Sequence, residues 1–416
     1  MKLIIKKDTI TDYLLLTYLI AVTGFPFFYA SQVYILIGLL ISAYLFLKRK
    51  LKIEKSLFIL VFPFLIIEIL QVLYHGNFEY RTFLGTYVRL FFAYFVVQLL
   101  GIRFLLKFFN VIYVFTVISF IFYLPSIFIP GFYEFMADNI CILFKPIFAA
   151  ENSFYQAKPS IIIFTFDKSL LSSFRNSGPF WEPGAYSVFI LLAILFKLIE
   201  SKKLFSKRII VLIIALASTV STAGYIAFFI LLLGYFLFNV KNYSYKILIV
   251  APLLYCSIYA YNELPFLKKK ALENIDLADS TTTSRFGSAL ADLNDFSKSP
   301  WIGWGRGESR YGGKKLLYFS ASEHRNNGLT KLLATYGIFI FALYFLLYFK
   351  LIRRYCEYWA FNRSFAWVGI FIVLLLGFSQ GLFTRPFFYA LLFVQFPIIK
   401  HIKKSNKQKM QILPPL

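Results

Sequence analysis

Acid is scarce in this chain: 20 Asp and Glu stand against 44 Lys and Arg. The aspartates nowhere form the kind of cluster that holds a divalent ion for nucleotide-sugar chemistry. Three cysteines, at 141, 256 and 356, supply neither a disulfide framework nor zinc spacing. The three histidines, His75, His324 and His401, are too scattered for a metal cage. The expectation is chemistry without metal or cofactor. Gly303, Gly305 and Gly307 lack the GKS or GKT that a phosphate loop needs. They read as a turn-rich re-entry before a helix, or as amides facing a phosphate or sugar. The first apolar stretch lacks a small-residue cleavage site and reads as an anchor. No internal repeat is visible.

What the chain has is hydrophobic length. Of its residues 59% are hydrophobic, with 52 Phe and 29 Tyr, and runs such as Leu57 to Tyr74 carry almost no charge. These are bilayer spans, so the net charge of +24 is not a nucleic-acid signal. More than half of the basic residues sit in the terminal segments and short loops, for example Lys48 to Lys55, Lys202 to Arg208, Lys350 to Arg363 and Lys400 to Lys409. The positive-inside rule makes those loops cytoplasmic.

Threading the chain accordingly predicts an all-α polytopic membrane protein, one integral domain over 1–416. Its twelve spans are near 12–29, 32–47, 57–74, 83–101, 109–129, 184–199, 209–221, 223–240, 247–263, 327–349, 364–383 and 386–399. Both termini lie in the cytoplasm. The pair 209–221 and 223–240 is short and reads as a hairpin stopping below the outer surface. Two long outer segments remain, 130–183 and 264–326, and long ordered loops usually carry function. Within the second, Phe286, Leu290, Leu293 and Phe296 recur at helical spacing until Pro300. The stretch 284–298 therefore reads as an amphipathic helix on the membrane or over a cavity.

The outer segments hold the polar chemistry. Arg175-Asn176-Ser177-Gly178-Pro179-Phe180-Trp181-Glu182-Pro183-Gly184-Ala185-Tyr186 sets a cation, a carboxylate and an aromatic among chain-stiffening residues at a helix mouth. Arg285, the run Trp301 to Glu308 with Arg306, and Glu323-His324-Arg325-Asn326-Asn327-Gly328 lie in the second. Arg385 occupies a tight turn between the last two spans. Inside the membrane, Glu68 and Arg89 fall at matching depth, ~9 Å below the surface, on adjacent spans. They read as a structural ion pair or as part of a cavity for a carrier diphosphate.

The segment Arg175 to Tyr186, the Ser218 to Tyr225 stretch, Ser284-Arg285-Phe286 through Pro300 to Gly305, and Asn326-Asn327-Gly328-Leu329 followed by Tyr336-Gly337-Ile338 occur in the order found in the O-antigen polymerase and ligase superfamily. The chain resembles that family over roughly 85–400, and Phe180-Trp181-Glu182-Pro183-Gly184 leans toward the polymerases. The resemblance implies a GT-C-like glycosyltransferase on the outer face of the bacterial inner membrane. Its donor is a glycan on undecaprenyl diphosphate, its acceptor another carrier-linked unit, and a chain-length regulator is a possible partner. A ligase, sharing the donor, and a flippase or transporter are the alternatives.

Transfer from a diphosphate develops negative charge on the leaving group, and arginine forks suit phosphate oxygens. Arg175 and Arg285 are the first choices, Arg306 and Arg385 the next, with Trp181, Asn326 and Asn327 as further glycan contacts. The acceptor hydroxyl must lose a proton, and Glu182 and His324 are the candidate bases. Glu182 reads equally as a cap on its helix. In ligases of the family a histidine opens span ten, where this chain has Asn326, with His324 two residues earlier.

Overall fold

The computed structural model describes residues 7–76, 78, 80–146, 158–168, 174–239, 285–306 and 327–412. Predicted span 247–263, His324 and Asn326 lie outside the described residues. The described chain is mainly helical. Five stretches are long and apolar enough to cross a membrane: Lys55–His75, Tyr80–Phe128, Pro183–Ser201, Thr222–Asn239 and Gly328–Tyr358. Shorter apolar helices accompany them.

In chain order the helices are α1 (Lys7–Gly24), α2 (Pro26–Tyr29), α3 (Gln32–Lys48), α4 (Lys55–His75), α5 (Tyr80–Leu100), α6 (Phe104–Phe128) and α7 (Phe132–Phe135). After the first outer segment come α8 (Pro183–Ser201), α9 (Lys207–Ser218) and α10 (Thr222–Asn239). The last are α11 (Arg285–Lys298), α12 (Gly328–Tyr358), α13 (Phe365–Ser379) and α14 (Pro386–Ile412). The 49-residue stretch Tyr80–Phe128 divides at a 3-10 turn, Gly101–Arg103, where Gly101 adopts φ 57°. α9 has only 12 residues, ~18 Å of rise against a ~30 Å hydrocarbon core. The hairpin it makes with α10 is therefore too short on one side for a full crossing.

α8 is apolar on all sides and lies at the centre of the bundle, as such a helix must. Phe180 leads into it, stacked on Phe189 at 4.2 Å and Tyr186 at 5.7 Å, with Phe25 edge-on at 5.4 Å. At the basic end of the bundle, Asp12 accepts from buried Lys107 and, at 2.9 Å, from Arg49.

The all-α expectation needs one correction. The first outer segment contains a three-stranded antiparallel sheet, β1 (Ser160–Ile161), β2 (Phe164–Lys168) and β3 (Phe174–Asn176), in the order β1-β2-β3. Arg175 pairs across from Asp167. Ile161, Phe164 and Phe166 bury against Met136 and Cys141, a small core separate from the bundle. The period-two placing of Phe164 and Phe166 was the available signal.

α12 is not continuous. Gly337 has φ 73° and ψ −177°, so the helix breaks there and backbone groups lose their intrahelical partners. The segment 300–306 supplies replacements: Trp304 N–H donates to Ala334 O (3.0 Å), Gly305 N–H to Thr335 O (2.9 Å), and Ile338 N–H to Pro300 O (2.9 Å). Irregular backbone at membrane depth survives only where protein satisfies it. A β-carbon on Gly337 would collide with the Trp301 carbonyl. The glycine-rich run is thus a re-entry strap. The Trp304 and Gly305 amides are spent on α12 and the Gly303 amide on Ser299 O (2.9 Å), so the phosphate-facing reading of these amides falls.

Candidate functional site

The strap carries Arg306 into the bundle. Its Nη1 donates to Thr86 Oγ1 of α5 at 3.2 Å. α4 grips the strap with one face: Gln71 Nε2 donates to Ile302 O (2.5 Å) and Thr335 O (2.8 Å). One turn on, His75 Nε2 lies 3.0 Å from Gly303 O, and its ring stacks on Trp304 at 4.6 Å. Glu68 continues that face inward, 7% exposed. Its carboxylate lies against the Thr86 and Tyr87 hydroxyls, and Arg306 is the cation in its electrostatic range.

This corrects the predicted ion pair. Glu68 answers Arg306, while Arg89 Nη2 donates to Gln32 Oε1 at 2.5 Å. Equal depth on neighbouring spans does not pair the two; Arg306, on the strap, lies in the field of each. Arg89 lies in the fields of Arg306 and Arg385, with Tyr336 of α12 and Tyr389 of α14 beside it. Both tyrosines are fully buried. The Tyr87, Tyr336 and Tyr389 hydroxyls and Glu68 Oε2 are enclosed within reach of one another, yet close no hydrogen bond of ordinary geometry among the described residues. Buried polar atoms left in that condition are rare and expensive. Three half-buried guanidinium groups, one carboxylate and three waiting hydroxyls therefore share one end of the bundle.

Arg385 connects this cluster to the opening motif. Its guanidinium lies 3.7 Å over the Tyr29 ring and 4.7 Å over Trp181, and Nη1 donates to Thr23 O at 3.3 Å. Trp181 is 6% exposed, stacked on Tyr29 at 5.9 Å, so its ring steers Arg385 and is not an open platform for sugar. Glu182 follows it. Glu182 is the N-cap residue of α8, but its side chain makes no capping hydrogen bond, so the capping reading falls. The carboxylate faces Arg285, the first residue of α11. Burial pushes the Arg285 guanidinium below its ordinary value, and Glu182 opposes that shift.

Two candidates are employed differently from the expectation. Arg175 on β3 donates from Nε to Thr219 O (3.2 Å) and from Nη2 to Val220 O (3.1 Å), clamping the α9–α10 turn where Val220 has φ 47°. It is thereby taken up in structure and not aimed at the cluster. Asn327 is fully buried and caps α12, its Oδ1 accepting from Leu329 N–H (3.0 Å) and Thr330 N–H (3.1 Å), while Nδ2 has no partner among the described residues.

Asn176 and Tyr336 stand within the sequence motifs without a role assigned there, and nothing in the pattern singles out Tyr87 or Tyr389. Asn176 Nδ2 donates to Ser119 Oγ (3.1 Å) and Ser218 Oγ (3.0 Å), tying the motif to α6 and α9. For the site, the overlooked signal was spacing: Glu68, Gln71 and His75 are the polar residues along one face of an otherwise apolar helix. No protein-family model matches the chain, and no curated protein matches it.

Proposed function

We propose that the protein is a polymerase of surface-polysaccharide repeat units, a glycosyltransferase taking its donor glycan from undecaprenyl diphosphate and extending another carrier-linked unit. The observation that carries this reading is the arginine cluster of Arg89, Arg306 and Arg385 among enclosed tyrosine hydroxyls that close no hydrogen bond of ordinary geometry among the described residues. Three arginines drawn partly out of water with a single carboxylate among them are costly unless an anion joins them. A diphosphate on a membrane-borne lipid is an anion that reaches that depth. As the sugar–phosphate bond breaks, the cluster stabilises the charge developing on the departing diphosphate.

Arg285 and Glu182 form the acceptor side of this reading: the carboxylate, held by its arginine partner, accepts the incoming hydroxyl. In this arrangement twelve spans are threaded through a bacterial inner membrane, the α9–α10 pair as a hairpin that stops below the outer surface, with the basic loops and both termini cytoplasmic and the arginine end outward. The order of motifs shared with the O-antigen polymerase and ligase superfamily supports it.

The test is incubation of the purified protein with a synthetic undecaprenyl-diphosphate oligosaccharide. A ladder of elongated products is expected, lost in Arg306→Ala and retained per folded molecule in Arg175→Ala. Glycan transfer only to a lipopolysaccharide or protein acceptor would make it a ligase, and carrier movement without elongation a transporter.

A further inference from the structure

The cluster presents a charge balance that the diphosphate reading leaves unfinished. Arg89, Arg306 and Arg385 bring three positive charges and Glu68 one negative charge. A diphosphate esterified at both ends, as in the donor, carries one charge on each phosphate and brings the occupied cluster to neutrality. Transfer of the sugar ends that match. The acceptor O–H breaks and its oxygen bonds the anomeric carbon. The bond from that carbon to the phosphate oxygen breaks with its electron pair passing to the diphosphate. The product diphosphate is then a monoester with a further negative charge, and one proton has been released.

We propose that Glu68 is the group on which this proton comes to rest, so that the arginine cluster stays neutral before and after transfer. The inference rests on the reading of the cluster as the diphosphate site. Glu68 is suited by its surroundings. α5 faces it with Thr86 and Tyr87, the strap with Arg306, α12 with Tyr336 and α14 with Tyr389. On its own helix, Gln71 and His75 are committed to the strap carbonyls. No other described carboxylate is among them. Glu68 Oε2 is enclosed and closes no hydrogen bond of ordinary geometry among the described residues, leaving an acceptor atom for a proton. A carboxylate that neutralises as the leaving group gains charge keeps an uncompensated charge from standing in the low dielectric at any stage. When the product leaves, Glu68 gives up the proton and again answers Arg306.

The test separates the proton from the turnover. Full-length protein in lipid nanodiscs is titrated calorimetrically with farnesyl diphosphate, a monoester, in buffers of different protonation enthalpy. Working at about pH 8 keeps the ligand fully ionised, since phosphate monoesters titrate near about 6. The wild type is expected to take up about one proton per ligand bound. Glu68→Gln should take up none and bind at least as tightly, having lost a competing negative charge, and Glu68→Asp should retain the uptake. With the synthetic donor, Glu68→Gln should slow elongation by about 100-fold or more at unchanged donor affinity. The inference is overturned if wild type and Glu68→Gln exchange the same number of protons, or if Glu68→Gln elongates normally. Should farnesyl diphosphate fail to bind, or bind Arg306→Ala equally well, the diphosphate reading of the cluster fails, and the inference with it.

Discussion

At the scale of single residues, the arginines of this protein divide by what their donors already hold. Arg175 has two donors on the carbonyls of Thr219 and Val220. Replacing it with alanine should cost about 1–3 kcal/mol of stability, from the lost bonds and the stranded carbonyls, read as a lower Tm with activity per folded molecule retained. Arg306 donates to the Thr86 hydroxyl and faces Glu68 and Tyr336. Arg306→Lys keeps the charge and discards the planar fork, so elongation should fall by about 100-fold or more while Tm changes little. Asn327→Ala removes a helix cap and should cost about 1 kcal/mol; Asn327→Asp should hold the cap, as thermal unfolding of the pair will show. The arginines were visible as outer cations in the sequence, but their employment was not, since Arg175 and Arg306 differ in which backbone stands nearby and not in pattern. Glu182 shows the same: its place at a helix start suggested a cap, and only the position of Arg285 gave it another partner.

At the scale of elements, α12 and the strap form one unit. The run 332–349 carries no charge, so its hydropathy predicts an unbroken span at 327–349, and the structure has a helix there but with a break. Hydropathy does not register a glycine at positive φ. Gly337→Ala would strain that φ and press on the Trp301 carbonyl, at a cost of about 1–3 kcal/mol or more, and displacement of the strap should remove elongation activity even in the fraction that stays folded. α4 supports the strap from the other side. Gln71→Leu leaves the Ile302 and Thr335 carbonyls without their side-chain donor, and limited proteolysis should find the strap opened where wild type resists. α11 was legible down to its exposed apolar residues: Phe286, Leu290 and Leu293 are exposed, while Ser288, Asp292 and Asp295 turn inward, Asp292 accepting from Thr330 at 2.9 Å. The short strands of the first outer segment were not, because five residues of β2 offer too few alternations against a strongly helical background.

At the scale of the whole molecule, the elements meet at one end of the bundle. The last turns of α1 and α4, the first turns of α5, α8 and α14, and the broken upper part of α12 all converge there. Basic loops occupy the other end. A cysteine at the exposed position of Lys298 should therefore react with an impermeant maleimide on intact cells, and one at Lys203 only after the membrane is opened. The general architecture was readable because hydropathy and charge act through the bilayer over whole helices. The site was readable only in part because it depends on one loop passing between spans. That threading also has a consequence in time. Thr86 and Arg306 are 220 residues apart, so a chain entering the membrane in order of synthesis lodges Glu68 and Arg89 there long before Arg306 is made. Until then the early helices are an unfinished intermediate. A chain ending near residue 300 should be degraded far faster than the full-length protein in a pulse-chase experiment, and Glu68→Gln should lengthen the life of that fragment.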